Sequence, residues 1–382
     1  MGTIVEAFAN RNRAHLDIPV IGDSITYGQG ATSWANGWVR QANNDIRANW
    51  PTTANGSNGG LGFIAFGDSY DGEESFTYPV SVTGNYGTYL DLGAIRFCGG
   101  FDNFGALWAF VAPAGTTSVR ISYFDGNTGA GFQYYVNDGS PVTIAFGETF
   151  AEILTDSIPM NSGDTLYVYA NTDSGAYVDG LIHYAGDENC GITLQTCGRP
   201  GWCAGTESDI GWNQPENIDN FNWAQAFANG FQNTVALAFY LGVNDAITDE
   251  GNRTAAEFQS DLIGLITTVQ NADASLANLP ILFIASYEVD GTFADPDGWP
   301  AYVAAIQNVA AAYPDSVVVN LSAVMEPVAD DPGYYYDGYH PNDEGHALIG
   351  GYVADAFPAP APGLLMAGDY DRPGLLRKPF LW

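Results

Sequence analysis

Apolar residues are spaced in two textures along this chain. Near the N-terminus a solid apolar run, Ile18 to Ile21, ends at Gly22-Asp23-Ser24, and Trp34, Trp38, Val39, Ala42 and Ile46 then recur at three- and four-residue steps. The first pattern predicts a buried strand and the second a helix with one apolar face. Pro51 stops that helix. From about Asn55 the texture changes. Gly, Asn and Thr punctuate short alternating runs: Leu107–Val111, Val119–Tyr123, Phe132–Val136, Val142–Phe146 and Leu166–Tyr169. Turn pairs such as Asp125-Gly126 and Asp138-Gly139 fall between them. Short strands with closely repeated turn signals predict a β-sandwich or jelly roll.

After about Gly191 the first texture returns. Val235–Leu241, Ile281–Ser286 and Val317–Val319 read as strands. Thr254 and Glu257 have the capping-box spacing, ahead of Phe258, Leu262, Leu265, Ile266 and Val269 on one helical face. Tyr302–Ala312 and Asp343–Ala354 read as two more helices. Alternating strands and helices imply a parallel sheet covered on both faces. The expected organisation is therefore one α/β domain, residues 1–57 and 190–357, split by an all-β insertion over residues 58–189. Insertion at a loop whose ends lie close adds little closure entropy. Residues 358–382 read as a Pro-rich linker and a tail.

Composition narrows the partners. Lys+Arg number 11 against 44 Asp+Glu, a net charge of −33, and Lys378 is the one lysine. Phosphate backbones and anionic membrane surfaces both select for clustered cations, so neither nucleic acid nor an anionic leaflet is an expected partner. No apolar run is long enough to span a bilayer. Residues 1–20 lack the basic-then-apolar pattern of a secretory signal. An extracellular protein with its signal removed and a virion-associated protein both fit that reading. Cys98, Cys190, Cys197 and Cys203 match no common zinc spacing. Cys197–Cys203 and Cys190–Cys203 disulfides and plain buried thiols all stay open. Neither metal nor cofactor is expected.

Four segments carry polar chemistry. Gly22-Asp23-Ser24-Ile25-Thr26-Tyr27-Gly28 and Leu241-Gly242-Val243-Asn244-Asp245 each directly follow a predicted strand. Gly198-Arg199-Pro200-Gly201 follows the short run Ile192–Leu194, and Asp337-Gly338-Tyr339-His340-Pro341-Asn342 precedes the last helix. Open α/β sheets place their ligands at the carboxyl ends of strands.

Taken together, in this order, the four segments resemble the blocks of the SGNH, or GDSL-type, serine hydrolases. The resemblance spans about Pro19–Pro51 and Gly191–Phe357. Ile25 stands where the family's short name has Leu. The resemblance implies a three-layer α/β/α, flavodoxin-like hydrolase domain, here with the all-β sandwich or jelly roll inserted. It implies Ser24 as nucleophile, His340 as general base and Asp337 as the carboxylate that orients the imidazole. It implies an oxyanion hole from the Ser24 N–H, the Gly201 N–H and the Asn244 amide. Gly201 fits the second glycine of an Asn-x-Gly-x-x-Gly pattern. Thr196 stands where that Asn would be, so Gly198 stays open as the donor. Asp23 is expected to brace its turn without reacting.

Other features have plainer readings. Gly67-Asp68-Ser69 repeats the nucleophile tripeptide without a helix behind it and reads as a β turn. His346 reads as a surface or capping histidine, and His15 and His183 have no paired motif. The aromatics of the insertion read as core more readily than as a sugar platform. The resulting expectation is a serine esterase removing O-acetyl or short acyl groups from a polysaccharide, or acting on a small ester. The alternative is a virion protein, of tail or capsid, that binds glycan or serves structurally, with or without the esterase. Its C-terminal tail would then dock it into a larger assembly.

Overall fold

The computed structural model describes residues 2–52, 58–65, 80–83, 86–89, 98–101, 107–126, 131–147, 149, 151–170, 176–205, 223–248, 251–289, 291–313, 315–328 and 333–359. The first strand, β1 (His15–Gly22), is buried at every position. Next come β2 (Gly59–Ala65), β3 (Val80–Thr83), β4 (Tyr86–Tyr89), β5 (Cys98–Phe101), β6 (Leu107–Val111) and β7 (Ser118–Phe124). They are followed by β8 (Gly131–Val136), β9 (Val142–Ala145), β10 (Glu152–Leu154), β11 (Ile158–Pro159), β12 (Thr165–Ala170) and β13 (Ala176–Ala185). The last four are β14 (Gly191–Gly198), β15 (Leu237–Tyr240), β16 (Ile281–Ala285) and β17 (Val317–Asn320).

One sheet runs β14-β1-β15-β16-β17, with every neighbouring pair parallel. Counted along the chain, these strands stand in the order 2-1-3-4-5. That doubly wound order opens a crevice between the ends of its first and third strands, here β1 and β15. The described helices are α1 (Gly2–Phe8), α2 (Ser24–Tyr27), α3 (Trp38–Asn49), α4 (Trp223–Asn229), α5 (Val243–Ala246), α6 (Ala255–Ala272), α7 (Trp299–Ala312), α8 (Ser322–Met325) and α9 (Asp343–Asp355).

Two adjacent residues of β15 show how the layers lie, because successive side chains leave opposite faces of a strand. The Tyr240 ring meets Trp38 of α3 at 5.7 Å. Phe239 meets Phe283 of β16 at 6.3 Å, and Phe283 meets Tyr313, just past α7, at 6.3 Å. So α3 covers one face and α7 the other, with α9 packed on α3 and α6 on α7. Gly350 lets α9 close on α3: a Cβ there would lie 3.0 Å from the Trp38 carbonyl oxygen. Trp38, Trp202 and Trp299 are almost wholly buried in this core. Full burial of a large apolar side chain is worth about 1.5–3 kcal/mol.

The chain between β1 and β14 forms two antiparallel sheets. One runs β10-β7-β13-β5-β4, with β11 also on β7 and β2 on β13; the other runs β3-β6-β12-β8-β9. Trp108, Phe110, Phe132, Leu166 and Val168 from the second sheet share one buried cluster with Val119, Ile121 and Leu181 from the first. Along β12, Leu166, Val168 and Ala170 are fully buried while Tyr167 and Tyr169 are half-buried on the other face. The aromatic residues therefore divide. Trp108 and Phe132 are core, as the sequence suggests, but Tyr135, Tyr167 and Tyr169 are not. Tyr135 stacks on Tyr167 at 4.7 Å and meets Tyr169 edge-on at 6.0 Å.

Local departures from the predicted elements have physical causes. The helix read from Trp34 onward is a 3-10 turn, Trp34–Asn36, then α3, because Gly37 between them is extended. β14 runs well past Leu194, since Gln195 is buried without being apolar. Its amide donates to Asp17 Oδ1, and Asp17 also accepts from the Gln232 N–H at 2.8 Å. Burial would raise the Asp17 carboxyl, but His15 and these bonds hold it below the usual range. His15, two residues along the same strand, bonds Asp17 at 2.9 Å. The Thr254–Glu257 capping box forms as spaced. Cys190, Cys197 and Cys203 are buried thiols. Gly67-Asp68-Ser69, the Cys98 side chain and the tail from residue 360 lie outside the described residues. Among the described residues no helix is long and apolar enough to cross a membrane.

Candidate active site

The carboxyl end of β1 turns tightly into α2. At Gly22 a Cβ would lie 2.1 Å from Thr26 Oγ1 and 2.8 Å from the Tyr240 carbonyl oxygen, so only glycine fits. Asp23 caps α2: its Oδ1 accepts from the Ile25 N–H at 2.9 Å. Burial pushes the Asp23 carboxyl up to about 6. Gly28 ends the turn at φ 102°, a left-handed conformation, and its N–H donates back to Ser24 and Ile25. Ser24 thus opens α2 at the mouth of the crevice, 6% exposed.

A second loop faces it. The Tyr336 N–H donates to the His340 carbonyl at 2.8 Å and the Asn342 N–H to the Tyr334 carbonyl at 3.0 Å, which closes residues 334–342 on themselves. Asn342 caps α9 by accepting from the Glu344 and Gly345 N–H groups. The buried Tyr287 hydroxyl donates to the Tyr339 carbonyl at 2.8 Å. Asp343 then receives the Thr32 N–H at 2.7 Å and the Thr32 hydroxyl at 2.5 Å. This clasps the two loops together.

Ser24, His340 and Asp337 meet in a hydrogen-bonded row. His340 Nε2 is 2.9 Å from Ser24 Oγ, and His340 Nδ1 is 2.8 Å from Asp337 Oδ2. Asp337 Oδ1 also accepts from the N–H groups of Tyr339 at 2.7 Å and His340 at 2.6 Å. Burial would raise the Asp337 carboxyl, but the hydrogen bond and charge of His340, with those two N–H groups, hold it below its usual value. An ionised carboxylate only accepts, so Nδ1 carries the proton and Nε2 presents a lone pair to the serine. The arrangement can take a proton from a hydroxyl at the moment that hydroxyl attacks.

Two further strands bring donors to the same rim. Asn244 lies on α5, directly after β15, and its Nδ2 donates to the Trp202 carbonyl at 3.1 Å. An amide nitrogen has a second hydrogen. Gly201 follows β14 at φ 76°. Among the described residues its N–H donates to no protein group, and neither does the Ser24 N–H at the start of α2. Gly198 differs. A Cβ there would lie 2.2 Å from the Tyr27 nitrogen, and its N–H lies 3.4 Å from Thr196 Oγ1. The Arg199 N–H donates to the Gly22 carbonyl at 3.0 Å, tying the Gly201 loop to the Ser24 turn.

The site also uses residues to which the sequence alone assigned no role. Asp245, fully buried, accepts from Ala204 N–H at 2.9 Å and Gly205 N–H at 3.3 Å. It fastens α5 to the Gly201 loop, and burial pushes its carboxyl up to about 7. Its sequence signal was its place beside Asn244 after a strand. His346 is not a surface histidine. It is fully buried, accepts from the Trp38 N–H at Nδ1 (3.3 Å) and donates from Nε2 to the Gln29 carbonyl (3.0 Å). Burial brings it down to about 4, a neutral ring joining α9, α3 and the Ser24 loop.

The GDSL-like Lipase/Acylhydrolase family model matches residues 156–348, just over half of the chain. The match takes in Gly201, Asn244, Asp337 and His340 and leaves Ser24 outside, beyond the antiparallel segment. A search of curated proteins gives no match. Among solved structures, a family two carbohydrate esterase from Cellvibrio japonicus is similar at 11% identity and TM-score 0.30, covering 77% of this chain and 96% of that one. A family two carbohydrate esterase from Clostridium thermocellum, in complex with cellohexaose, is similar at 11% identity and TM-score 0.34, covering 72% and 97%.

Proposed function

Since the chain belongs to the GDSL-like lipase/acylhydrolase family, we propose that it hydrolyses carboxyl esters by a Ser24–His340–Asp337 triad. The observation that carries this reading is the unbroken row from Ser24 Oγ through the imidazole to Asp337. Ser24 Oγ attacks the acyl carbon while His340 Nε2 takes its proton. The imidazolium is stabilised by Asp337 and returns the proton to the leaving alcohol oxygen. Water then attacks the acyl-serine, giving its proton to His340, and the carboxylic acid leaves as Ser24 recovers its hydrogen.

The developing oxyanion is received by the Ser24 and Gly201 N–H groups and the second hydrogen of the Asn244 amide. Gly201 is preferred over Gly198 because the Gly198 N–H already faces Thr196 and its Cα is walled in by α2. Asn244→Ala is expected to lower kcat by ~10²–10³-fold with little change in KM, since that donor acts on charge formed in the transition state. Steady-state kinetics on p-nitrophenyl acetate check it; a loss confined to KM would remove Asn244 from the oxyanion hole.

We read the substrate as a polysaccharide carrying O-acetyl or similarly short acyl groups, and the antiparallel segment as an inserted β-sandwich domain. Among the described residues, the large exposed hydrophobics are Val111, Val142, Ile263 and Tyr336, and only Tyr336 lies on the site loops. A long acyl chain would want a wider apolar wall. The row of Tyr135, Tyr167 and Tyr169, with the Tyr169 hydroxyl donating to Gln133, offers flat ring faces and polar tips together. Acetate release from an acetylated polysaccharide, beside a series of p-nitrophenyl esters, tests the substrate class. The expected result is release of acetate and a fall of about 10-fold or more in kcat/KM between acetyl and octanoyl esters. Preference for octanoate and inactivity on the polymer would overturn it.

A further inference from the structure

We propose that a groove at the amino ends of the parallel strands binds a neutral sugar of about two residues, apart from the Ser24 crevice. The groove has a volume of about 590 Å³. Ala14, just ahead of β1, Asn189, just ahead of β14, and Asn233, on the approach to β15, line it from the α/β sheet. Arg120 of β7 with Ile153 and Leu154 of β10 line it from the antiparallel segment. β1 is eight residues long, about 23 Å at the ordinary rise of a strand, and Ser24 stands past its far end. A disaccharide held here therefore does not reach the triad.

The lining keeps hydrogen-bonding capacity on exposed side chains. Asn233 is exposed, and its side-chain amide bonds no protein group among the described residues. Asn189 is exposed too. Its Nδ2 donates to Asp187 Oδ1 at 3.1 Å, and its own Oδ1 stays open to accept. Arg120 donates from Nε and Nη2 to Glu188, at 3.3 and 3.0 Å, and from Nη1 to the Thr155 carbonyl at 3.2 Å. A guanidinium has further N–H groups beyond these, and this side chain is 22% exposed. Ile153 and Leu154 add half-buried apolar surface.

Charge and polarity select the guest. Glu188 meets the Arg120 charge, and His15, the other basic residue of the lining, is paired with Asp17 at 2.9 Å. Asp156 adds negative charge near Arg120. Among the described lining residues no uncompensated cation is left for a phosphate or a uronate, and a net charge of −33 opposes both. An alkyl chain would cover the carboxamides without bonding them, which costs free energy. Sugar hydroxyls both donate and accept, as the carboxamides do, and the C–H faces of a pyranose suit Ile153 and Leu154. The volume lies in the ordinary range of small-molecule sites. The proposal does not depend on the esterase reading.

Isothermal titration of the full chain with cellobiose, xylobiose and mannobiose tests it, beside digalacturonate as an anionic counterpart. At least one neutral disaccharide is expected to bind with a Kd of about 1 mM or tighter, and digalacturonate is expected not to bind. Ser24→Ala is expected to leave that Kd unchanged. The double variant Asn189→Ala, Asn233→Ala is expected to weaken it by about 10-fold or more, with p-nitrophenyl acetate hydrolysis unchanged. In crystals of the unsubstituted protein soaked in the disaccharide that binds, its density is expected beside Asn189, Asn233 and Arg120. That map decides even if the double variant fails to fold. Tighter binding of digalacturonate, a Kd that the double variant leaves unchanged, density at Ser24 alone, or no binding of any neutral disaccharide overturns the proposal.

Discussion

Ser24→Ala is expected to lower kcat on p-nitrophenyl acetate by ~10⁴-fold or more while the melting temperature stays within a few degrees. The substitution removes one oxygen from a nearly buried position. It leaves Asp23, Gly22 and Gly28, the residues that shape the turn, untouched. His340 loses a hydrogen-bond partner, yet its side chain is 16% exposed, so water can replace the hydroxyl at Nε2. Residues that act as one unit are strongly non-additive. Adding His340→Ala to Ser24→Ala should therefore cost almost nothing further, and a second large loss would show that His340 acts on something other than this serine.

The second large effect belongs to Asp337→Asn, expected to lower kcat by ~10⁴-fold. An asparagine oxygen can still accept from the Tyr339 and His340 N–H groups, so the loop should keep its shape. The amide nitrogen then faces His340 Nδ1 and can only donate. That forces the imidazole proton onto Nε2, where it points at Ser24 Oγ and cannot accept a hydrogen. The contrast with Asp337→Ala separates orientation from anchoring. If the asparagine variant loses less than tenfold while the alanine variant unfolds the loop, Asp337 is a loop anchor and no part of the proton path.

How far the sequence reaches depends on which physical rule shapes each element. β1, β15 and β16 are short solid apolar runs, and α6 has both its cap and its face, so hydrophobic pattern and capping chemistry suffice for them. β14 is hidden because Gln195 and Thr196 are polar: Gln195 is inside because the buried Asp17 of the neighbouring strand accepts from it, and the half-buried Thr196 donates to the Thr26 carbonyl at 2.8 Å. Ser24, Asn244 and His340 stand out because each sits at a strand end or a helix start with a characteristic neighbour. Asp245 shows only its place beside Asn244, and His346 shows nothing. Their partners are backbone groups more than thirty residues away, and no local spacing encodes such a contact. The tyrosine row escapes for a related reason. Alternation along β8 and β12 says that one face is buried, but not that the opposite face brings Tyr135 and Tyr167 into stacking contact across strands.

Labelling with a serine-directed phosphonate, followed by peptide mass mapping, tests the central claim most directly. One adduct per chain is predicted, on the peptide containing Ser24, forming in step with the loss of ester hydrolysis and suppressed in His340→Ala. Complete inactivation with the adduct on a different residue, or full labelling of Ser24 with hydrolysis intact, would contradict it.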